Sequence, residues 1–221
     1  MQHNWEIKMS QGSKKKQKLQ GGEDPSTPRA TAGADGCKHV YSKSNHIYFY
    51  SSVTKESVYK MNEYIVGLNS EFEALCHAHP LVRMTPSPIY LHINSYGGSV
   101  FAAFAAIDFI KQSKIPVYTV VEGATASAGT LMSVVGVKRY IRPHASMLIH
   151  QLSAWVGGKM TEIEESYENL EQMMESIKDI YIEHTSLSKT KLNGLLKHDY
   201  WWKADVCIKH SLVDELYNPK R

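Results

Sequence analysis

Two short stretches of this chain place together the groups needed to activate a hydroxyl. Glu122-Gly123-Ala124-Thr125-Ala126-Ser127-Ala128-Gly129 sets a serine among small residues, just after the β-like run from Val117 to Val121. Ser146-Met147-Leu148-Ile149-His150-Gln151 ends a short apolar strand on a histidine. A serine hydroxyl is a poor nucleophile near neutral pH until an adjacent base takes its proton, and imidazole is the usual base. The alanines and glycine around Ser127 let a substrate backbone come close. Together they form the pattern of an activated serine.

Each residue alone also has an ordinary reading. A serine after a strand commonly caps the next helix by accepting its first free N–H groups. The G-x-S-x-G elbow of α/β-hydrolases is not met, because Thr125 stands where its first glycine would be. A lone histidine at the end of an apolar segment is more often a hydrogen-bonded core group, and the chain has 11 histidines to choose from. Asp199, in Lys197-His198-Asp199-Tyr200-Trp201-Trp202, sits where a helix cap would. Gly97-Gly98 reads as a turn that permits positive φ, and equally as bare backbone N–H groups aimed at a developing oxyanion. Gly157-Gly158 reads as a turn, or as a strand that holds a substrate backbone through main-chain hydrogen bonds.

The elements that must position these residues follow from hydrophobic periodicity. His46 to Tyr50 is the first predicted ordered run and has strand composition. Val58, Met61, Ile65, Leu68, Phe72 and Leu75 recur at helical spacing within a predicted helix from Lys55 to His77. Strands are predicted from Ile89 to Asn94 and from Val117 to Val121, with short ones from Arg139 to Ile141 and Met147 to His150. Between the first two of these, Ser99 to Ile110 is apolar nearly all round, which predicts a buried helix. A helix is predicted from about Ser127 to Val135. Another long one runs from Lys159 to Thr185, with Ile163, Tyr167, Leu170, Met173, Ile177 and Ile180 on one stripe. Short helices at 189–197 and 204–210 close the chain. This strand–helix alternation predicts a wound α/β fold with a mainly parallel sheet.

Bulk properties bound the function. The 221 residues suit one substantial domain, predicted at 41–221, behind a polar, basic and disordered tail at 1–40. With a net charge of +3 and no basic stripe outside Lys14-Lys15-Lys16 and Lys18, the chain is not expected to bind nucleic acid. Cys37, Cys76 and Cys207 are scattered, which argues against a disulfide framework or a zinc site. The apolar runs are too short for a bilayer, and residues 1–36 carry no signal-peptide core, so a soluble cytoplasmic protein is expected. There is no Walker A motif, so ATP use is not expected in this polypeptide.

Ile93-Asn94-Ser95-Tyr96-Gly97-Gly98-Ser99, Ala126-Ser127-Ala128-Gly129 and Met147-Leu148-Ile149-His150-Gln151 together resemble the proteolytic subunit of the Clp protease family. The separation of His150 from Asp199 fits that family, and Leu212-Val213-Asp214 is similar to its closing motif. The resemblance covers about residues 46–216. Two departures stand out: Tyr96 replaces a proline before Gly97-Gly98, and Leu152 replaces one after His150-Gln151. No segment ahead of His46 matches the family's axial-loop motif.

The resemblance implies the spiral of β-α units shared with crotonases, with a long protruding handle helix beginning near Lys159. It implies Ser127 as nucleophile, His150 as general base and Asp199 as the acid that orients it. Gly98 and Ala128 would supply the oxyanion-hole N–H groups, and Gly157-Gly158 would lie on a substrate-aligning strand. It further implies a homo-oligomer of two stacked heptameric rings. This would be a serine endopeptidase that cuts unfolded polypeptides delivered by a separate AAA+ ATPase, with no metal or organic cofactor. Alternatives are a phage-type capsid or scaffold maturation protease of the same fold, a non-catalytic ring subunit, and a crotonase-like acyl-CoA enzyme.

Overall fold

A computed structural model describes residues 39–218; the stretch read as a tail falls outside the described residues up to position 38. The chain runs β1 (Val40–Lys43), β2 (His46–Phe49), α1 (Lys55–Ala78), β3 (Ile89–Ser95), α2 (Val100–Gln112), β4 (Val117–Ala126) and α3 (Ala128–Val134). It continues through β5 (Lys138–Ile141), β6 (Ser146–Leu148), α4 (Met160–His184), α5 (Lys189–Leu195), β7 (Trp201–Lys203), α6 (Ala204–Lys209) and β8 (Glu215–Leu216). Strands order as β1-β2-β3-β4-β5-β8, with β6 joined to β4 and β7 to β6. Pairing is parallel from β2 to β5 and at β8, and antiparallel at β1–β2 and β6–β7.

The predicted alternation is borne out, with instructive exceptions. The strand β1 precedes His46, pairing Val40 with Phe49 through a tight turn at Ser44, whose φ is 53°. The stretch between the strand predicted to end at Val121 and the helix predicted from about Ser127 is itself strand: β4 continues through Ala126. The helix α2 is not buried all round. Its small face (Ala102, Ala103, Ala106) and Ile107 and Ile110 pack inward, while Phe101 and Phe109 are 56% and 42% exposed. Ser99 caps it, accepting a hydrogen bond from Ala102 N–H at 3.3 Å. The helix α1 starts from a capping box between Thr54 and Ser57.

The strand β4 is the centre of the sheet and changes partners along its length. Tyr118 to Val121 pair with β5, whereas Ala124 to Ala126 pair with β6. On its other side, the register against β3 jumps from Ile93↔Val121 to Ser95↔Thr125, so extra residues bulge out of β4. Gly123 sits in the bulge at φ +58°, tight against the Asn94 side chain.

The bulge turns Glu122 onto the aromatic face of the sheet. There its carboxylate accepts from His92 Nδ1 at 2.9 Å, Arg142 Nε at 2.9 Å and the Tyr50 hydroxyl. His92 Nε2 in turn lies 2.8 Å from His46 Nδ1, a hydrogen bond that links the two rings. Tyr48 stacks on His92 and His46 on Tyr90. Burial pushes the Glu122 carboxyl up, but these hydrogen bonds outweigh it and bring the pKa down to about 2.

A carboxylate with a lowered folded pKa stabilises the fold above its ordinary value of 4.5, and that contribution is lost as pH falls toward about 2. Glu122→Gln should therefore cost about 1.5–3 kcal/mol near neutral pH, the range for a hydrogen-bonded charged group. Melting curves at pH 7 and pH 3 should show the gap between wild type and variant narrowing in acid.

Candidate active site

The C-terminal ends of β3, β4 and β6 meet at one crevice, where parallel sheets generally bind ligands. Ser127 follows the last residue of β4, and its N–H donates to Leu148 C=O at 2.9 Å, extending the β4–β6 ladder. The chain then turns sharply: Ser127 has φ 59° and ψ −130°, a strained conformation for a residue with a side chain. Its side chain makes no capping bond to α3, so the ordinary N-cap reading of this serine fails. Ser127 is 1% exposed and His150 7%.

Register explains how the distant residues converge. The antiparallel β6–β7 pair sets Leu148 opposite Trp201. Continuing that register past the strand ends puts His150 opposite Asp199. The gap is further closed by Gln151 N–H donating to Leu196 C=O at 2.9 Å. Asp199 Oδ1 lies 3.8 Å from His150 Nδ1, an ion-pair distance rather than a hydrogen bond, and its side chain is half exposed. Such contacts commonly tighten when substrate binds. Burial lowers the His150 pKa below its ordinary value of 6.5, with the Asp199 charge partly opposing it. Burial thus favours the neutral imidazole, the form that can accept a proton.

Backbone donors complete the crevice. Val53 N–H donates to Gly97 C=O at 2.9 Å and Ser99 N–H donates to Val53 C=O at 2.8 Å, one bridge on either side of Gly98. Successive backbone groups of an extended strand point to opposite edges, so Gly98 N–H faces away from Val53. Ala128 N–H is the first of α3 and has no intrahelical acceptor.

Gly97 and Gly98 have φ of 94° and 151°, and a Cβ on Gly98 would collide with the Val53 carbonyl. A Cβ on Gly97 would fall 2.5 Å from Ser127 Cβ and 2.8 Å from its Oγ. Tyr96 precedes this loop. Its ring meets Trp201 edge to face at 6.2 Å, tying the loop to β7 beyond Asp199.

The Gly157-Gly158 segment is the exception. Its sequence reads as a turn or as a substrate-aligning strand, and residues 151–157 have no partner strand among the described residues. Gly158, at φ +153°, lies against Glu162 where that carboxylate accepts from Lys159 N–H at 3.0 Å, which gives it a structural reason at the start of α4. Residues not anticipated from sequence include Thr130 and Tyr181, whose hydroxyls lie 2.5 Å apart beside Ser127. Among the described residues, no group of three or more His, Cys, Asp or Glu is placed to hold a metal. No helix among them is long and apolar enough to cross a membrane.

A model of the Clp protease family matches residues 41–220. The chain belongs to that family and is thereby a peptidase in class. It is 34% identical over 131 residues to the ATP-dependent Clp protease proteolytic subunit 1 of Chlamydia trachomatis, covering 58% of this chain and 68% of the relative. It is 33% identical over 164 residues to the ATP-dependent Clp protease proteolytic subunit 2 of Cutibacterium acnes, covering 70% and 77%. Among solved structures, a mutant ClpP1 from Listeria monocytogenes superposes with a TM-score of 0.68 at 24% identity, covering 80% of this chain and 93% of that one. The fold is that of the Clp peptidases.

Gly97→Ala should push the Ser127 side chain out of position and strain the loop, lowering stability by about 1–3 kcal/mol. A crystal structure and a melting curve of that variant would read both effects.

Proposed function

We propose that this chain is the serine endopeptidase subunit of an ATP-dependent Clp-type protease, hydrolysing unfolded polypeptides by acyl-enzyme chemistry. The observation that carries this reading is the convergence of Ser127, His150 and two outward-facing backbone N–H groups at the ends of β3, β4 and β6. His150 takes the Ser127 proton as the oxygen attacks a peptide carbonyl. Gly98 and Ala128 N–H groups hold the oxyanion, and His150 then protonates the departing amine. Water, deprotonated by His150, releases the acyl group and regenerates Ser127, while Asp199 keeps the imidazole in the required tautomer.

Assembly with further copies fits the apolar surface left open. The N-terminal half of α4 carries Met160, Ile163 and Tyr167 at 70%, 38% and 62% exposure. Phe101 on α2 is a further exposed apolar side chain. Helix surfaces of this kind suit a self-complementary interface between copies, in the form of two stacked heptameric rings. The ATPase would be a separate chain, and the setting cytoplasmic. The names of the relatives, proteolytic subunits of ATP-dependent proteases, support the first of these. Gly157-Gly158 would align substrate by pairing only once a peptide supplies the missing strand.

A fluorophosphonate probe tests the nucleophile. We expect an adduct on Ser127 in the purified protein, none in Ser127→Ala, and labelling slowed by His150→Ala to about 10⁻³ or less of the wild-type rate. Failure of the assembled wild-type protein to label would overturn the reading.

The pH dependence follows from the His150 environment. A base whose pKa is lowered keeps its active, neutral form further into acid, so the acid limb of kcat/KM should fall below the ordinary histidine value of 6.5. Removing the opposing charge in Asp199→Asn should move that limb lower still and reduce kcat by up to about 10⁴-fold. Stopped-flow peptide hydrolysis from pH 4.5 to 8 would measure both.

A further inference from the structure

The carbonyl of Ser127 is held by more than the usual helix-start bond. It accepts Thr130 N–H at 2.9 Å and the Thr130 hydroxyl at 2.6 Å. Thr130 Oγ1 in turn lies 2.5 Å from the Tyr181 hydroxyl. A hydroxyl has one proton to give. Since Thr130 commits its proton to Ser127, Tyr181 must donate to Thr130. Burial raises the Tyr181 pKa far above its ordinary value of 10.0, so this donor stays protonated. The direction of the chain is thus fixed: Tyr181 O–H to Thr130 O–H to Ser127 C=O. All three residues are at most 1% exposed.

A helical threonine often bonds back to a carbonyl of its own turn, and alone that would mean little. Here two further facts matter. The carbonyl belongs to the residue in the strained φ 59° conformation, and the second hydroxyl comes from a different helix, α4. The Ser127 carbonyl and the Ala128 N–H are also the two ends of one planar trans peptide, so they point in opposite directions. Whatever holds the carbonyl toward Thr130 holds the N–H toward the crevice.

We infer that Thr130 and Tyr181 are positioning residues that lock the Ser127–Ala128 peptide so that its N–H is offered to the oxyanion. The inference rests on the peptidase reading above. Neither side chain touches substrate; both act through the peptide they orient. Successive donation along the chain also polarises that peptide and makes Ala128 N–H a stronger donor. A donor that matters only when charge develops should affect kcat and leave ground-state binding alone.

The test uses the full-length assembled protein with Thr130→Val, Thr130→Ser and Tyr181→Phe. Thr130→Val is isosteric and Tyr181→Phe keeps the ring, and melting curves check that each variant folds. With a fluorogenic peptide amide, Thr130→Val should lower kcat by about tenfold or more, at or below the loss expected from removing an oxyanion donor outright. KM should stay within about twofold, and affinity for a peptide boronate should fall in step with kcat/KM. Thr130→Ser should restore activity, and Tyr181→Phe should fall between.

Wild-type kcat in Thr130→Val, equal losses in Thr130→Ser and Thr130→Val, or a rise in KM matching the fall in kcat would each overturn the inference. A crystal structure of Thr130→Val provides a readout independent of turnover. A rotated Ser127–Ala128 peptide supports the lock and an unrotated one overturns it. If the wild-type protein itself neither labels nor cleaves, the peptidase reading falls, and the crystal structure alone decides the lock.

Discussion

Between Val121 and Ala124, β4 releases one parallel neighbour and takes up another, and the crevice exists because of that exchange. Had β4 run on beside β5, β6 would have no edge to join, and Ser127 N–H would have no Leu148 carbonyl to meet. His150 would then lie far from the serine. The exchange needs surplus backbone in β4, which the bulge supplies, and a residue able to take φ +58°, which is Gly123. It also needs somewhere to put Glu122. The ring of donors from His92, Tyr50 and Arg142 makes that site a stable one for a charge that would otherwise be buried alone.

The same economy governs the turn after β4. A non-glycine residue at φ 59° costs on the order of 1–3 kcal/mol, and the surrounding structure has to impose it. On one side is the ladder bond to Leu148; on the other are the bonds from Thr130. Gly97 lies close enough that only a hydrogen fits between its backbone and the serine side chain. Strain, close packing and directed hydrogen bonds therefore define one conformation of the turn at Ser127.

Much of this was legible in the sequence because it is periodic or local. The stripes of α1 and α4, the strand before Gly97-Gly98 and the helix after it, and the serine among small residues each leave a mark within a short window. What escaped was short or non-local. The three residues of β7 carry no periodicity, yet their pairing with β6 brings Asp199 beside His150. Asp199 was placed by family resemblance, since its local sequence reads equally well as a cap. Phe101 and Phe109 misled in the other direction, because hydrophobicity all round a helix does not reveal whether the covering partner is the same chain. Thr130 and Tyr181 lie 51 residues apart and meet only through the packing of α3 on α4. Gly157-Gly158 left both a turn and a strand open in the sequence, and the Glu162 carboxylate that packs against Gly158 at the start of α4 is visible only in three dimensions.

One mechanical consequence follows from how α4 is anchored. Of its 25 residues, the apolar side chains buried in the core are Met173, Ile177 and Tyr181, all in the C-terminal half. At 1.5 Å per residue, the stretch from Met173 back to Met160 is an overhang of roughly 20 Å. A rigid beam clamped at one end magnifies angular error: a tilt of about 10° at the clamp moves the free tip by about 3 Å on that length. The position of the tip is thus only as accurate as the seating of the side chains near the root, Met173, Ile177 and Tyr181 with Met174 and Ile180 beside them. One of these, Tyr181, is also the start of the hydrogen-bond chain that ends at Ser127.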